Sequence, residues 1–293
     1  MGSLGSALLL SGRFRPQVAP RELRIVVFLP AHGGVIPPTV SDISAGASLA
    51  WTESMRAGLL FGQVLQLVAY RTDPSEEPHT AQHLITSSRA TMIVGGMSEP
   101  ECLLLSGIAE ERGLVFFNVG ASADSLRRDG CRRHTFHVAA SEAMIRAARA
   151  ASGQAGNPPA TIELWHESLE RYGGSQLNDR FRARSARPMT SSAWAGWVAV
   201  KIAWETSLRA QSVEPEQLLA VLDNDTTQFD GHKGAPLSFR EWDHQLRQPQ
   251  YAVDGGKVVA ELPDVGRNTN QPMKEQLDRF GDSGRTTMCV ERR

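Results

Sequence analysis

Between residues 23 and 119, short apolar runs alternate with helical segments at the spacing of βαβ units. Residues 23–30 (LRIVVFLP) form a continuous apolar run of strand length, as in a strand buried on both faces of a parallel sheet. Further strands are predicted at residues 64–70, 91–94 and 114–119. Helices are predicted between the strands at residues 42–57, 78–86 and 99–112. This alternation predicts an α/β fold built on a doubly wound parallel sheet.

Two loops of this predicted sheet are candidates for ligand contact. Ligands of doubly wound sheets lie outside the carboxyl ends of the strands, where helix N-termini face them. Small residues occupy two such loops, at positions 95–98 and 120–122. Ser98 and Glu101 match an S-x-x-E capping box, so Ser98 either caps its own helix or also contacts a ligand. At Ser122, small neighbours are expected to leave the backbone amides open to a ligand.

The composition excludes several classes of function. The chain has 293 residues, of which 41% are apolar and 22% charged, as in a soluble globular protein of one large or two ordinary domains. A net charge of −1 gives no electrostatic basis for binding nucleic acid or an anionic membrane. The sequence contains no run of 18 apolar residues, so no membrane span is predicted. Residues 1–22 are compatible with the remnant of an export signal, but basic residues follow the apolar run instead of preceding it.

Catalytic and metal-binding patterns are not found in the sequence. It contains no GxxxxGK, GxGxxG or GxSxG motif. His79 and His83 are four residues apart, but an exposed polar helix face explains them better than a metal site. No nucleophile and base are paired in a recognisable pattern. The sequence therefore predicts neither an enzyme nor a site for a metal or cofactor.

The three cysteines constrain the protein only weakly. None forms a CxxC pair, which argues against a zinc knuckle or a thioredoxin-type site. Cys102 lies among leucines and is predicted to be a core residue. Cys131 and Cys289 lie in polar, turn-like sequence, and a disulfide between them is an open alternative that an oxidising compartment would allow.

The second half of the chain begins after a predicted linker at residues 152–160. A helix at residues 190–208 is apolar on nearly all its faces. Its three tryptophans are therefore expected to pack in the core; the alternative is a stacking platform for a ligand. Pro215 is expected to open another helix that extends to residue 223.

Residues 229–249 (FDGHKGAPLSFREWDHQLRQP) are the least generic stretch of the chain. The stretch turns twice, and both Gly231 and Gly234 are expected at positive φ. Apolar residues on either side of the turns predict a hairpin that closes the sheet. A further hairpin is predicted to turn at residues 254–256.

Several stretches of the sequence resemble one known family. These are DSLRRDGCRRHTFHVAASEAM, LWHESLERYGGSQLNDRFRARSARPMTSSAWAGWVAVK and the stretch 229–249, and the ending LDRFGDSGRTTMC is similar as well. With the N-terminal half, they resemble periplasmic solute-binding proteins of the branched-chain amino-acid type (type I). In particular they resemble ABC-transporter substrate-binding proteins found with pyrroloquinoline-quinone-dependent alcohol dehydrogenase systems.

The resemblance implies a function and a small set of site residues. It implies non-covalent binding of a small-molecule ligand in the periplasm, delivery to an ABC transporter permease, and no enzymatic activity. Positions that match the family's ligand loops are Ser98, Gly120, Ala121 and Ser122. No residues of the second lobe can be carried over, because that part of the family's pattern has no counterpart here.

The chain departs from the family where the second lobe should begin. Two lobes of such proteins close on a ligand, but on the order of 100 residues of the second lobe are missing here. The expected organisation is a first-lobe unit at residues 23–133, a truncated second-lobe fragment and linker at 134–160, a return to the first lobe with a closing hairpin at 161–262, and a polar tail at 263–293. The alternative is a degenerate lobe that no longer binds solute and forms a homodimer through the surface exposed by the missing lobe. A small α/β enzyme ranks third.

Overall fold

The computed structural model describes residues 21–31, 36–153, 161–264, 272–281 and 289. Nearly all of the predicted N-terminal segment, most of the predicted linker and much of the predicted tail lie outside these residues. None of the described helices is both long enough and apolar enough to cross a membrane.

A five-stranded parallel sheet in the order β2-β1-β3-β4-β5 forms the centre of the protein. Its strands are β1 (Arg21–Phe28), β2 (Gln63–Tyr70), β3 (Met92–Gly95), β4 (Val115–Asn118) and β5 (Thr135–His137). Every residue of β3 and β4 is buried, as expected for strands covered on both faces. The predicted doubly wound parallel sheet is confirmed. β5 pairs with β4, although its residues fall within the range predicted for the second-lobe fragment.

Helices cover both faces of the central sheet. One face packs against α1 (Pro38–Phe61), α6 (Ser191–Ala210) and α7 (Pro215–Leu222), and the other against α2 (Pro78–Ser87) and α3 (Glu99–Arg112). α1 begins four residues before its predicted start because Pro38 occupies the first turn, where a missing N–H is tolerated. The helix ends at Gly62, which adopts the left-handed conformation with φ 61°.

Two glycines allow α1 and α6 to cross closely. A Cβ atom added to Gly46 would lie 1.8 Å from the carbonyl oxygen of Ala193, and one added to Gly196 would lie 2.3 Å from that of Ile43. Side chains larger than hydrogen are therefore excluded at both positions. Trp194 and Trp197 are buried in the same core, as predicted, and Trp204 is partly buried and packs against it.

A second, smaller sheet is antiparallel and has the order β10-β9-β6. It consists of β6 (Thr161–Glu163), β9 (Gln250–Asp254) and β10 (Lys257–Leu262). The helix α4 (Glu142–Ser152) packs on it through Ala148, which joins Ala252 and Leu262 in one apolar cluster. As predicted, β9 and β10 are joined by a turn with two glycines at positive φ.

The stretch 229–249 forms two short antiparallel pairs. Phe229 bridges Leu237, and β7 (Ser238–Phe239) pairs with β8 (Leu246–Arg247). Gly234 has a φ of 73°, as predicted. The prediction for Gly231 is wrong, because the positive φ falls on the next residue, His232, at 57°. Gly231 is required by space, since a Cβ there would lie 2.4 Å from a methyl group of Leu237.

The remaining described elements are two 3₁₀ helices (Asp124–Arg127 and Arg171–Gly173), two α-helices and a disulfide. The α-helices are α5 (Gly174–Ser185) and α8 (Met273–Asp278). The structure pairs Cys131 with Cys289, whose Cα atoms are 5.3 Å apart. Formation of this bond in the cell remains a prediction. Cys102 is buried at 0% exposure, which confirms its core position.

Candidate ligand-binding site at the carboxyl edge of the sheet

In the loop between β3 and α3 and the first turn of α3, side chains of the same segment accept hydrogen bonds from the backbone N–H groups. The hydroxyl of Ser98 accepts a hydrogen bond from the N–H of Glu101 at 3.3 Å, which is the predicted cap. The Glu101 carboxylate accepts from the N–H groups of Gly96 at 3.0 Å and Met97 at 2.7 Å. Burial raises the pKa of Glu101 to about 7. An internal carboxylate therefore occupies two of the backbone donors that a ligand would need.

The loop after β4 is held in the same way by Asn118, which is fully buried. Its Oδ1 accepts from the N–H groups of Gly120 at 3.2 Å and Ala121 at 2.9 Å. These two amides were expected to be open to a ligand; they are bonded because Asn118 turns back over the loop. A Cβ on Gly120 would lie 2.9 Å from Cα of Met97, so the two loops touch.

Arg127 joins the β4 loop to the segment after β5. The side chain is 3% exposed, and burial lowers its pKa to about 10. Nη1 donates to the carbonyl oxygens of Ala121 at 3.0 Å and Ala123 at 3.1 Å. Nη2 donates to the carbonyl oxygen of Ala139 at 2.7 Å, and Nε donates to Oε1 of Gln245 at 2.9 Å. Arg127 thus fixes the spacing of two segments at the carboxyl edge of the sheet.

A cavity of about 220 Å³ lies between these segments and the small sheet. Its walls come from the β4 loop, the β5–α4 segment, β6 and the first turn of α6. Gly120 and Ser122 line it, whereas Ala121 is buried beside it and Ser98 is exposed elsewhere on the edge. No side chain that lines the cavity carries a charge.

Gln250 contributes an unsatisfied polar group to this cavity. It begins β9, lines the cavity and is only 1% exposed. Its Nε2 has no hydrogen-bond partner among the described residues. A buried donor left without a partner costs about 1–3 kcal/mol, a cost that a water or ligand atom reaching this amide would relieve. The carbonyl oxygen of the preceding Pro249 accepts from Nζ of Lys233 at 3.0 Å, which fixes the start of β9.

The N-terminus of α6 also faces the cavity through Ser191 and Ser192. The hydroxyl of Thr190 accepts from the N–H of Ala193 at 3.2 Å and so satisfies one donor of the first turn. The N–H groups of Ser191 and Ser192 have no partner within the helix. A helix of 20 residues carries a partial positive charge at this end. The arrangement offers hydrogen-bond donors to a bound molecule.

Sequence reasoning found the β4 loop but missed Gln250 and the α6 terminus. One sequence feature could have drawn attention to Gln250: it is a polar residue between Pro249 and the apolar residues of a strand. No pattern in the sequence brings β9 next to α6, because the two elements meet only through the tertiary fold.

A cavity of about 360 Å³ lies beside the ends of β1 and β2, where Leu29 and Arg71 line it. Two still larger cavities, of about 480 and 510 Å³, lie away from this edge. Tyr172 lines both and is 62% exposed. None of the side chains lining them has a buried polar atom without a partner among the described residues. The described residues also contain no cluster of His, Cys, Asp or Glu suited to a metal ion. We therefore place the candidate site at the smaller cavity, where predicted loop residues meet an unsatisfied buried amide.

Known proteins of similar sequence were not found, since no family model and no curated protein matches the chain. Solved structures with a similar fold were found. A solute-binding protein of an ABC transporter from R. palustris, in complex with benzoate, has a TM-score of 0.65 and 17% identity, and the match covers 82% of this chain and 95% of that one. A periplasmic binding protein from Burkholderia mallei has a TM-score of 0.70 and 13% identity, with 93% and 99% covered.

A third similar structure is the branched-chain amino acid transporter substrate-binding protein from Streptococcus pneumoniae, in complex with isoleucine. Its TM-score is 0.64 and its identity 14%, and the match covers 82% of this chain and 99% of that one. The chain therefore has the fold of type I periplasmic binding proteins. At sequence identities of 17%, 13% and 14%, the similarity establishes the fold alone.

Proposed function

We propose that the protein binds a small solute non-covalently in the 220 Å³ cavity, as the substrate-binding component of an ABC-type importer. The observation that carries this proposal is Gln250, whose buried amide lines the cavity without a partner among the described residues. Two proteins of similar fold, whose structures contain benzoate and isoleucine, support the proposal that this chain binds a small solute. We assign no catalytic step to the protein.

The wider setting of this function comes from the sequence resemblance. By that resemblance the protein hands its solute to an ABC transporter permease, works in the periplasm and belongs to a quinoprotein alcohol-oxidation system. The pairing of Cys131 with Cys289 supports an oxidising compartment.

The proposal includes a shortened second lobe. In a two-lobed binding protein, the second lobe closes over the carboxyl edge of the first. In this chain α4 and the small sheet take that position and supply Ile145, Ile162 and Gln250 as one wall of the cavity. The remaining fragment would thus replace the missing lobe, and the site would form without domain closure.

Thermal denaturation of the purified protein tests the proposal. The compounds to be compared are amino acids, short organic acids, alcohols, amides, pyrroloquinoline quinone, and calcium and lanthanide salts. A ligand that binds only the folded state raises the melting temperature in a saturable way. We expect such a shift with at least one organic compound. Cooperative melting with no shift by any compound would refute the solute-binding function.

The second candidate function is an interaction domain that forms a homodimer. It is favoured by Tyr172 and Val259, large side chains that are 62% and 61% exposed and line the same 480 Å³ cavity. Sedimentation velocity over a hundredfold range of protein concentration tests it. A concentration-dependent dimer combined with no solute-induced melting shift would favour this candidate.

A further inference from the structure

We propose that the 480 Å³ cavity beside the small sheet is a second ligand site, which binds a small organic ammonium ion. This inference goes beyond the proposed function, because the candidate solute cavity lies on the opposite face of the same sheet. Gln250 and Tyr251 are neighbours in β9, so their side chains leave the strand on opposite faces. Gln250 lines the 220 Å³ cavity and Tyr251 lines the 480 Å³ cavity.

A β-bulge in β10 turns Glu261 toward the second cavity. The register between β10 and β9 shifts between Val258 and Ala260, and Glu261 pairs directly with Tyr251. In a regular strand, Val258 and Glu261 would lie on opposite faces because they are three residues apart, yet both line this cavity. Paired residues share one face of a sheet, with Cβ atoms about 4.5–5.5 Å apart. The bulge therefore places a carboxylate beside the phenol ring of Tyr251.

The Glu261 carboxylate and the Tyr251 hydroxyl have no hydrogen-bond partner in the part of the chain that the structure describes. Tyr251 is only 3% exposed, but its hydroxyl is not among the fully buried polar atoms without a partner, so the small exposed part of the side chain includes the hydroxyl. Burial raises the pKa of the half-buried Glu261 carboxyl. A charged donor is the group that best satisfies such a carboxylate.

The described side chains that line the cavity carry a net negative charge. Glu170 and Glu261 contribute two carboxylates and Arg171 contributes one guanidinium group, which leaves a charge of −1 when His232 is neutral. Arg171 is exposed, so water and salt screen its charge more than that of the half-buried Glu261. The lining therefore favours a cation over an anion or a neutral molecule.

Lys233 lies behind the ring of Tyr251 and does not occupy the site. Its Nζ is 5.5 Å from the centre of that ring and donates to Oε1 of Gln248 at 2.9 Å and to the carbonyl oxygen of Pro249 at 3.0 Å. Burial lowers the pKa of Lys233 well below its usual value, which reduces the positive charge behind the cavity. The ammonium group of Lys233 thus leaves Glu261 available to a ligand.

Tyr172 adds an aromatic surface to the same cavity. Its side chain is 62% exposed, and its ring lies against Gly234, where an added Cβ would be 2.4 Å from a ring carbon. Nδ1 of His232 lies 3.1 Å from the carbonyl oxygen of Tyr172, which holds this residue at a positive φ of 57°. Aromatic faces attract organic cations within about 6 Å of the ring centre. Val258 and Val259 provide apolar contacts for an alkyl or aryl group on the ligand.

Isothermal titration calorimetry of the full chain at neutral pH tests this assignment. Propyl-, butyl- and benzylammonium chloride are each compared with the alcohol of the same carbon skeleton and with potassium chloride at equal ionic strength. We expect at least one ammonium ion to bind at least about tenfold more tightly than its alcohol and than potassium. Equal binding of the alcohol would overturn recognition of a cation, and equal binding of potassium would overturn the organic class. No binding by any compound would overturn the site, and the solute cavity would remain untouched by that result.

The variant Glu261→Gln assigns the binding to this cavity. Because burial raises the pKa of Glu261, the fold disfavours its charged form, so the ligand-free variant should melt at or above the temperature of the parent at neutral pH. Affinity for the ammonium ion should fall at least about tenfold. The matched control Glu111→Gln, exposed on α3, should bind like the parent.

A second variant, Tyr251→Phe, removes only the hydroxyl and keeps the buried ring. Since the hydroxyl has no partner among the described residues, this variant should fold like the parent and bind the ammonium ion about threefold more weakly or worse. Undiminished binding by either folded variant would overturn the site.

Discussion

Arg127 and Gln245 converge on one carbonyl oxygen, that of Ala139, which lines the candidate cavity. Nη2 of Arg127 donates to it at 2.7 Å and Nε2 of Gln245 at 3.1 Å, and both side chains are buried. The two side chains are also bonded to each other at 2.9 Å. Neither lines the cavity, so we interpret them as positioning residues for the segments that do.

Replacement of Arg127 by methionine should destabilise the protein by about 3 kcal/mol or more. The change leaves several buried acceptors without donors, each at a cost of about 1–3 kcal/mol. Urea denaturation measures the loss. The control Arg56→Met alters an exposed arginine of α1 and should stay within about 0.5 kcal/mol of the parent. Equal stability of the two variants would show that Arg127 does not hold the loops together.

Gly46→Ala should lower the free energy of unfolding by about 2 kcal/mol or more. The added methyl group would lie 1.8 Å from the carbonyl oxygen of Ala193, so α1 and α6 would have to separate. Gly107→Ala is the matched control, because Gly107 is also helical and has nothing within 4 Å of its added Cβ. That variant should gain about 0.5–1 kcal/mol from helix propensity. A neutral Gly46→Ala variant would contradict the close crossing.

The protein should lose stability as the pH rises from 4.5 to about 7, the interval between the unfolded-state and folded-state pKa values of Glu101. In that range the folded state binds the proton more tightly than the unfolded state, so raising the pH favours unfolding. The shift corresponds to at most about 3 kcal/mol. Urea denaturation at a series of pH values should show a smaller slope for Glu101→Gln than for the parent. The control Glu111→Gln, exposed on the same helix, should keep the parental slope.

Reduction should destabilise the protein by about 2–4 kcal/mol if Cys131 and Cys289 form a bond in solution, because the bond closes a loop spanning 158 residues. Denaturation with and without dithiothreitol measures this difference. A Cys131→Ser variant should show no response to the reductant. If the stability of the parent protein does not change with the reductant, and mass spectrometry of the denatured, alkylated protein counts three free thiols instead of one, the bond does not form.

The central sheet was predictable because its strands carry their signal locally. A buried parallel strand must be apolar along its whole length, as β3 and β4 are. Capping signals likewise gave the bounds of α3 from Glu99 to Arg112. The start of α1 was predicted too late, because Pro38 belongs to the first turn of the helix rather than to the loop.

The site was only partly predictable, since it depends on contacts between distant segments. The β4 loop could be located from its small residues, but the use of its amides by Asn118 depends on a side-chain orientation that the sequence does not encode locally. The position of Gln250 depends on a distant residue. Lys233, 17 positions earlier in the chain, donates a hydrogen bond to the carbonyl oxygen of Pro249 and so holds the start of β9.

The most direct test of solute binding in this cavity is a titration monitored by NMR of isoleucine δ1 methyl groups. Ile145 and Ile162 line the cavity, whereas Ile36 lines a different cavity and Ile108 is a core residue of α3. With the compounds that shift the melting temperature, we expect saturable shifts at Ile145 and Ile162 and little change at Ile36 and Ile108. Shifts confined to Ile36, or no shifts at all, would contradict binding at the carboxyl edge between β4, β9 and α6.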